Sequence, residues 1–138
     1  MTSRTSLIIL IKPEAFKDKK VSLILEELKV WEKYSTYTHI FPKGVDSKII
    51  KLHYNKLVNE SFFPEIEESF KTGPLLVRFY ILPTRGMGRL REWVVNYLRP
   101  KLNASPCKTY IHCSDSIRHS QRESQIWSNY IFPVHERK

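Results

Sequence analysis

Two cysteines, Cys107 and Cys113, occur in 138 residues. That number cannot support a disulfide framework. Without paired spacing or histidine partners it also makes a poor metal site, so free thiols in a reducing compartment are expected. No apolar run approaches the roughly 20 residues a bilayer span needs, and no membrane association is expected. The apolar stretch Ser6–Ile11 is too short for a signal peptide and stops at Lys12-Pro13, which leads to an intracellular, cytoplasmic expectation. No long polar tract, repeat or linker interrupts the chain, so residues 1–138 are expected to form one domain. Acidic residues are outnumbered, 14 against 23 Lys and Arg, for a net charge of +9. This balance favours anionic partners: nucleotides, nucleic acid or an acidic protein surface. The charge is not gathered in an arginine-rich tail, and Glu60–Glu68 is locally acidic. A folded domain with a basic face fits better than an RNA-binding arm.

What is present is enough apolar material, 41% with three tryptophans, to build a core at this size. Ser6–Ile11 is continuously apolar and β-branched, as in a central strand covered on both faces. Val21, Ile24, Leu25, Leu28 and Trp31 recur at helical spacing. Tyr34–Phe41 reads as a second strand closed by Pro42-Lys43-Gly44. Asp46 can cap a helix running to about Tyr54, and Phe63, Ile66 and Phe70 mark a short helix that stops at Gly73-Pro74. Leu75–Leu82 is a third strand. Thr84 is the expected cap of a helix with Met87, Leu90, Val94 and Leu98 on its apolar stripe. Lys108–Ile111 reads as a short fourth strand, and Ser114 to about Tyr130 as the last helix, with Ile117, Trp127 and Ile131 facing inward. The expected class is α+β: a ferredoxin-like, four-stranded antiparallel sheet with helices packed on one face.

Chemistry concentrates in few places. His112 is expected at a strand end just before a helix N-terminus, where backbone N–H groups and the helix dipole suit an anion. An imidazole there can act as a nucleophile toward phosphorus. Glu123, eleven residues on, can fix the ring tautomer and leave one nitrogen free. The plain alternative is a strand-end histidine followed by a capping Ser114. Lys12, in Lys12-Pro13-Glu14, stands at the end of a buried strand, where such sheets bind ligands, but lysines also snorkel out there. Arg85, Arg89, Asn96 and Arg99 gather on one polar helix face if the helix is regular. They are either a phosphate clamp or a solvated face. His53-Tyr54 and Phe62-Phe63-Pro64 offer one aromatic for base stacking and one for the core.

Together these segments resemble a nucleoside diphosphate kinase, over about Leu7–Trp127. Ile111-His112-Cys113-Ser114-Asp115-Ser116, followed by Glu123 and Trp127, is similar to the family's active-site block. Lys12-Pro13-Glu14, His53-Tyr54, Phe62-Phe63-Pro64 and Gly73-Pro74 match other family segments in order. The resemblance implies a phosphotransferase that moves a γ-phosphate from a nucleoside triphosphate to a nucleoside diphosphate through His112. Glu123 would orient the ring and Ser114 would bond Glu123. Lys12 and Tyr54 would lie near phosphates and sugar, Phe62 would stack on the base with Ile66 beside it, and Arg99 and Arg89 would bind phosphate. It also implies Mg2+ bridging the phosphates, with no metal held by protein ligands alone, and a homo-oligomer.

The sequence departs from the family at several points. Cys113 stands where the family usually has glycine, and a side chain there is expected to crowd the phosphate. Thr109 replaces an asparagine among the nucleotide-binding positions, and Pro100-Lys101 replaces a Gly-Asp pair. The stretch from Gly73-Pro74 to Arg99 is shorter than usual by about eight residues. The missing piece falls mostly in the loop that covers the nucleotide and helps join subunits. An alternative therefore stands beside the enzyme: a family-fold subunit with a remnant site, bound through its basic face to an anionic macromolecule in a larger assembly.

Overall fold

The structure is a computed structural model and describes residues 3–106 and 108–133. Cys107, read above as a free thiol, lies outside them. Strand β1 (Arg4–Ile11) is followed by helices α1 (Pro13–Lys17) and α2 (Val21–Glu27), a 3₁₀ segment (Leu28–Tyr34) and β2 (Ser35–Phe41). Helices α3 (Ser47–His53) and α4 (Phe63–Thr72) lead to β3 (Leu75–Pro83). Helix α5 (Thr84–Trp93), a π turn (Val94–Leu98) and α6 (Arg99–Lys101) precede β4 (Ile111–Cys113) and α7 (Ile117–Ile131). The four strands form one sheet in the order β2-β3-β1-β4, and every pairing is antiparallel. This is the ferredoxin-like α+β arrangement. Among the described residues no helix is long and apolar enough to cross a membrane.

Helices cover both faces of the sheet, not one. The reason is in β1, where Leu7 through Ile11 are all fully buried. Successive strand residues point to opposite faces, so an unbroken apolar run needs two cores. Leu7, Ile9 and Ile11 pack with Ile24 of α2 and Met87 and Leu90 of α5. Ile8 and Leu10 pack with Ile49 and Ile50 of α3, Phe63 and Phe70 of α4, and Trp127 of α7. Each such side chain contributes roughly 1.5–3 kcal/mol on burial.

Some local readings need correction. Asp46 does cap α3, accepting from the Ile49 amide at 3.2 Å. Thr84 does not cap α5; Pro83 occupies that position, and the Thr84 hydroxyl lies 2.8 Å from Ser3 and 3.0 Å from Thr5 side-chain oxygens. Strand β4 is displaced toward the C-terminus, because Tyr110 has φ 66° and breaks the extended run. His112 is consequently the middle residue of β4, opposite Leu10. Ser116, not Ser114, caps α7 by accepting from the His119 amide. Ile117 faces solvent, since the first turn of α7 projects beyond the sheet.

Candidate functional site

The alternation of β4 sorts its side chains. Ile111 and Cys113 enter the core shared with α2 and α5, and His112 points to the opposite face. The expected crowding by Cys113 is absent for this reason. Its thiol is buried, and burial pushes its pKa up to about 12.

On the His112 side, Nε2 of the ring lies 2.8 Å from Oε1 of Glu123, and the Ser114 hydroxyl donates to the same oxygen at 2.5 Å. Burial alone would push the Glu123 carboxyl up. The bonds and charge from His112, with His53 and Ser114, outweigh it, and the net direction is down. An ionised carboxylate only accepts, so Nε2 carries a proton, and the tautomer this bond selects has its lone pair on Nδ1.

A second imidazole supports this pair. His53, the last residue of α3, is 5% exposed and meets His112 edge-to-face, with ring centroids 4.7 Å apart. Its Nδ1 accepts from the Trp127 indole at 3.0 Å. Burial, and then the neighbouring His112, pull its pKa down to about 3. His53, His112 and Glu123 place ligand atoms within 4.8 Å of one another, a spacing that metal sites use. His53 offers no free lone pair, because Nδ1 accepts from the indole, and Glu123 Oε1 is engaged by imidazole and hydroxyl, so the trio serves the hydrogen-bond chain.

A cavity of about 580 Å³ opens beside His112 and is lined by Lys12, Tyr54, Phe62, Ile66 and Thr109, among others. Lys12, where β1 ends, donates to Thr109 Oγ1 at 3.0 Å and pairs with Glu14 at 3.4 Å. Tyr54 follows α3, and burial raises its hydroxyl pKa. Phe62 is exposed at the mouth, whereas Phe63 is buried in the core. Glu123 and Ser114 do not line this cavity; they stand behind His112.

The arginines divide differently from the expectation. Arg99 donates from Nη2 to the carbonyl of Ile111 at 3.1 Å, next to His112. Burial, with Arg91 nearby, lowers its pKa, yet a guanidinium stays charged. Arg89 is exposed, and neither it nor Arg91 nor Arg99 lines this cavity or the neighbouring one. The π turn at Val94–Leu98 explains the discrepancy. It inserts about one extra residue per turn, rotating the residues beyond it by about 100° relative to a regular helix. Arg99 thereby comes into phase with Arg91, while Arg89 turns away. Arg91 acts on Cys113, Asp115 and Arg99, and the Nε atoms of both Arg91 and Arg99 are buried without a hydrogen-bond partner. Arg91 was missed because a regular helix groups Arg89 with Arg85, Asn96 and Arg99 on one face.

No protein-family model matches the chain. A curated nucleoside diphosphate kinase of Encephalitozoon cuniculi is 24% identical over 128 residues, covering 86% of this chain and 85% of that protein. One from Streptococcus pneumoniae is 26% identical over 132 residues, covering 86% and 95%. The Aquifex aeolicus nucleoside diphosphate kinase superimposes with a TM-score of 0.75 over 97% of this chain and 99% of that one, at 21% identity. The Halobacterium salinarum enzyme, solved in complex with CDP, gives 0.67 over 92% and 88%, at 15% identity. Sequence and fold together make the chain a divergent relative of the nucleoside diphosphate kinases.

Proposed function

We propose that residues 1–138 act as one nucleoside diphosphate kinase-like domain, which transfers a γ-phosphate between nucleotides through a phosphohistidine on His112. The observation that carries this reading is the His112–Glu123–Ser114 chain of hydrogen bonds set beside a cavity that holds Lys12. Nδ1 of His112 attacks the γ-phosphorus. The N–P bond forms as the bond to the bridging oxygen breaks, and that electron pair leaves with the nucleoside diphosphate. The positive ring is balanced through Nε2–H by the Glu123 carboxylate. A terminal oxygen of a second diphosphate then takes the phosphoryl group and frees Nδ1. Lys12, Arg99 and Arg91 supply positive charge to the phosphates. Phe62 and Ile66 offer the base an apolar seat, and Thr109 a hydroxyl.

The carboxylates near His112 are engaged: Glu123 with His112 and Ser114, and Glu14 with Lys12 and the Tyr110 amide. They form no protein cage for a metal. This suits Mg2+, which keeps its waters and binds mainly to substrate phosphates, with Glu65 the remaining carboxylate in the cavity. Bound there, Mg2+ would neutralise phosphate charge.

Incubation with γ-labelled triphosphate tests the reading. An acid-labile, base-stable label on the wild type, missing from His112→Ala, is expected. Wild-type protein that takes up no label would replace the enzyme by the second reading, a binding subunit without turnover, which Arg89 lying away from the cavity favours.

A further inference from the structure

We propose that a second cavity, between the loop after α3 and the first turns of α7, binds a small phosphate-bearing anion. It has a volume of about 440 Å³ and stands back to back with the first, the two sharing Tyr54 and Leu57. Glu123 forms part of its wall, but the basic groups Lys56, Arg118 and Arg122 have no part in the transfer chemistry above.

Three cations line this cavity: Lys56, Arg118 and Arg122. None has an ion-pair partner among the described residues, although Lys12, Lys29, Arg78, Lys101 and Lys108 each have one. Arg122 is held in place by donating to the Leu52 carbonyl of α3. Arg118 and Arg122 are one turn apart on α7, where like charges repel and weaken a helix unless an anion lies between them. The 15-residue helix α7 starts at Ile117, so its positive dipole end adds to the field. Two acidic side chains are near. Glu123 is 7% exposed and already accepts from His112 and Ser114; Asp115 is bonded to His119 Nδ1 at 2.5 Å. Cations in a concave wall focus the field, and paired guanidinium groups match phosphate oxygens. The concave shape and the small number of cations suit a compact anion better than a continuous nucleic-acid backbone.

Inorganic pyrophosphate is the probe, titrated calorimetrically into the wild type, Lys12→Ala and a Lys56→Ala/Arg118→Ala double variant. Lys56 and Arg118 are exposed and unpaired, so the double variant should fold, which its denaturation midpoint checks. Lys12→Ala should retain a pyrophosphate site. The double variant should lose affinity by about tenfold or more, as expected when charged hydrogen-bond donors are removed. Unchanged binding in the double variant overturns the proposal, placing the anion in the first cavity alone. So does binding of a short DNA duplex without binding of pyrophosphate. Labelling of His112 does not require this cavity, so failure here leaves the transfer reading intact, and the reverse also holds.

Discussion

The indole N–H of Trp127 donates to Nδ1 of His53 at 3.0 Å, and this bond decides where His53 keeps its proton. Indole is only a donor, so Nδ1 must be the acceptor and Nε2 the protonated nitrogen. Nε2 itself is buried without a hydrogen-bond partner. His53 is therefore a neutral imidazole in a fixed tautomer, pressed against the ring proposed to react.

Its titration makes stability depend on pH. His53 has a folded pKa of about 3 against an ordinary 6.5. Between these values the unfolded chain binds a proton that the folded chain refuses. Stability is then full above about pH 6.5 and falls as pH drops toward 3, by up to about 1.4 kcal/mol per unit. Glu123, held below its ordinary value, loses stabilisation in the same direction on acidification. Urea midpoints from pH 7 to pH 4 should fall steeply for the wild type. They should fall less for His53→Gln, whose amide oxygen can still accept from Trp127. Parallel slopes would show that His53 does not titrate as described.

Removing the reacting ring should separate activity from folding. His112 is only half-buried, so His112→Ala should keep a near wild-type denaturation midpoint while losing all phosphotransfer. His112→Gln should be equally inactive, because an amide is a poor nucleophile. Glu123→Gln should lose on the order of 10- to 100-fold in transfer rate, as partners that orient a histidine do. A fully active His112→Ala would end the phosphohistidine reading.

The π turn makes a prediction about three arginines. Arg89→Ala, on the solvent side, should leave nucleotide affinity unchanged and stability within about 0.5 kcal/mol. Arg91→Ala and Arg99→Ala should each weaken triphosphate binding by about tenfold, the scale of a lost charge-assisted hydrogen bond. Equilibrium binding of a triphosphate to the three variants checks this. Equal losses at Arg89 and Arg91 would mean that the helix is regular.

Cys113 should be chemically silent. With Cys107→Ser leaving a single thiol, a disulfide reagent at pH 8 should react only as fast as the chain opens, since the thiolate is suppressed and buried. Restoring the family's glycine, Cys113→Gly, should lower stability by about 1–2 kcal/mol through lost core contacts. It should not speed transfer, because the side chain lies on the other face of the sheet from His112. Prompt labelling of the native protein would contradict this placement.

The strand and helix order was legible because β1 and the helix stripes carry strong apolar patterns. Lys12, Tyr54, Phe62, Ile66, Thr109 and His112 meet at one cavity, and they were found through motif order, not through any pattern of their own. Backbone irregularities were not legible. The left-handed Tyr110 shifts β4 past Lys108, and the π turn exchanges Arg89 for Arg91; neither leaves a trace in hydrophobic periodicity. His53 was visible as one half of a dipeptide. Its burial depends on Trp127, 74 residues away, and residue type alone cannot report that. Arg118 and Arg122 carry no signal of their own in the sequence, because their cavity exists only once the loop after α3 packs beside α7.

The sheet separates two cores, and the groups around His112 belong to both. Arg91 and Arg99 come from the layer of α5 and the π turn, whereas His53, Tyr54, Phe62 and Glu123 come from the layer of α3, α4 and α7. Proteins open in cooperative pieces, and the weakest piece opens first. Here the release of either layer dismantles the site while the other can remain folded. Nucleotide affinity followed through a denaturation series would therefore track the less stable layer, and amide exchange in β1 would track the more stable one.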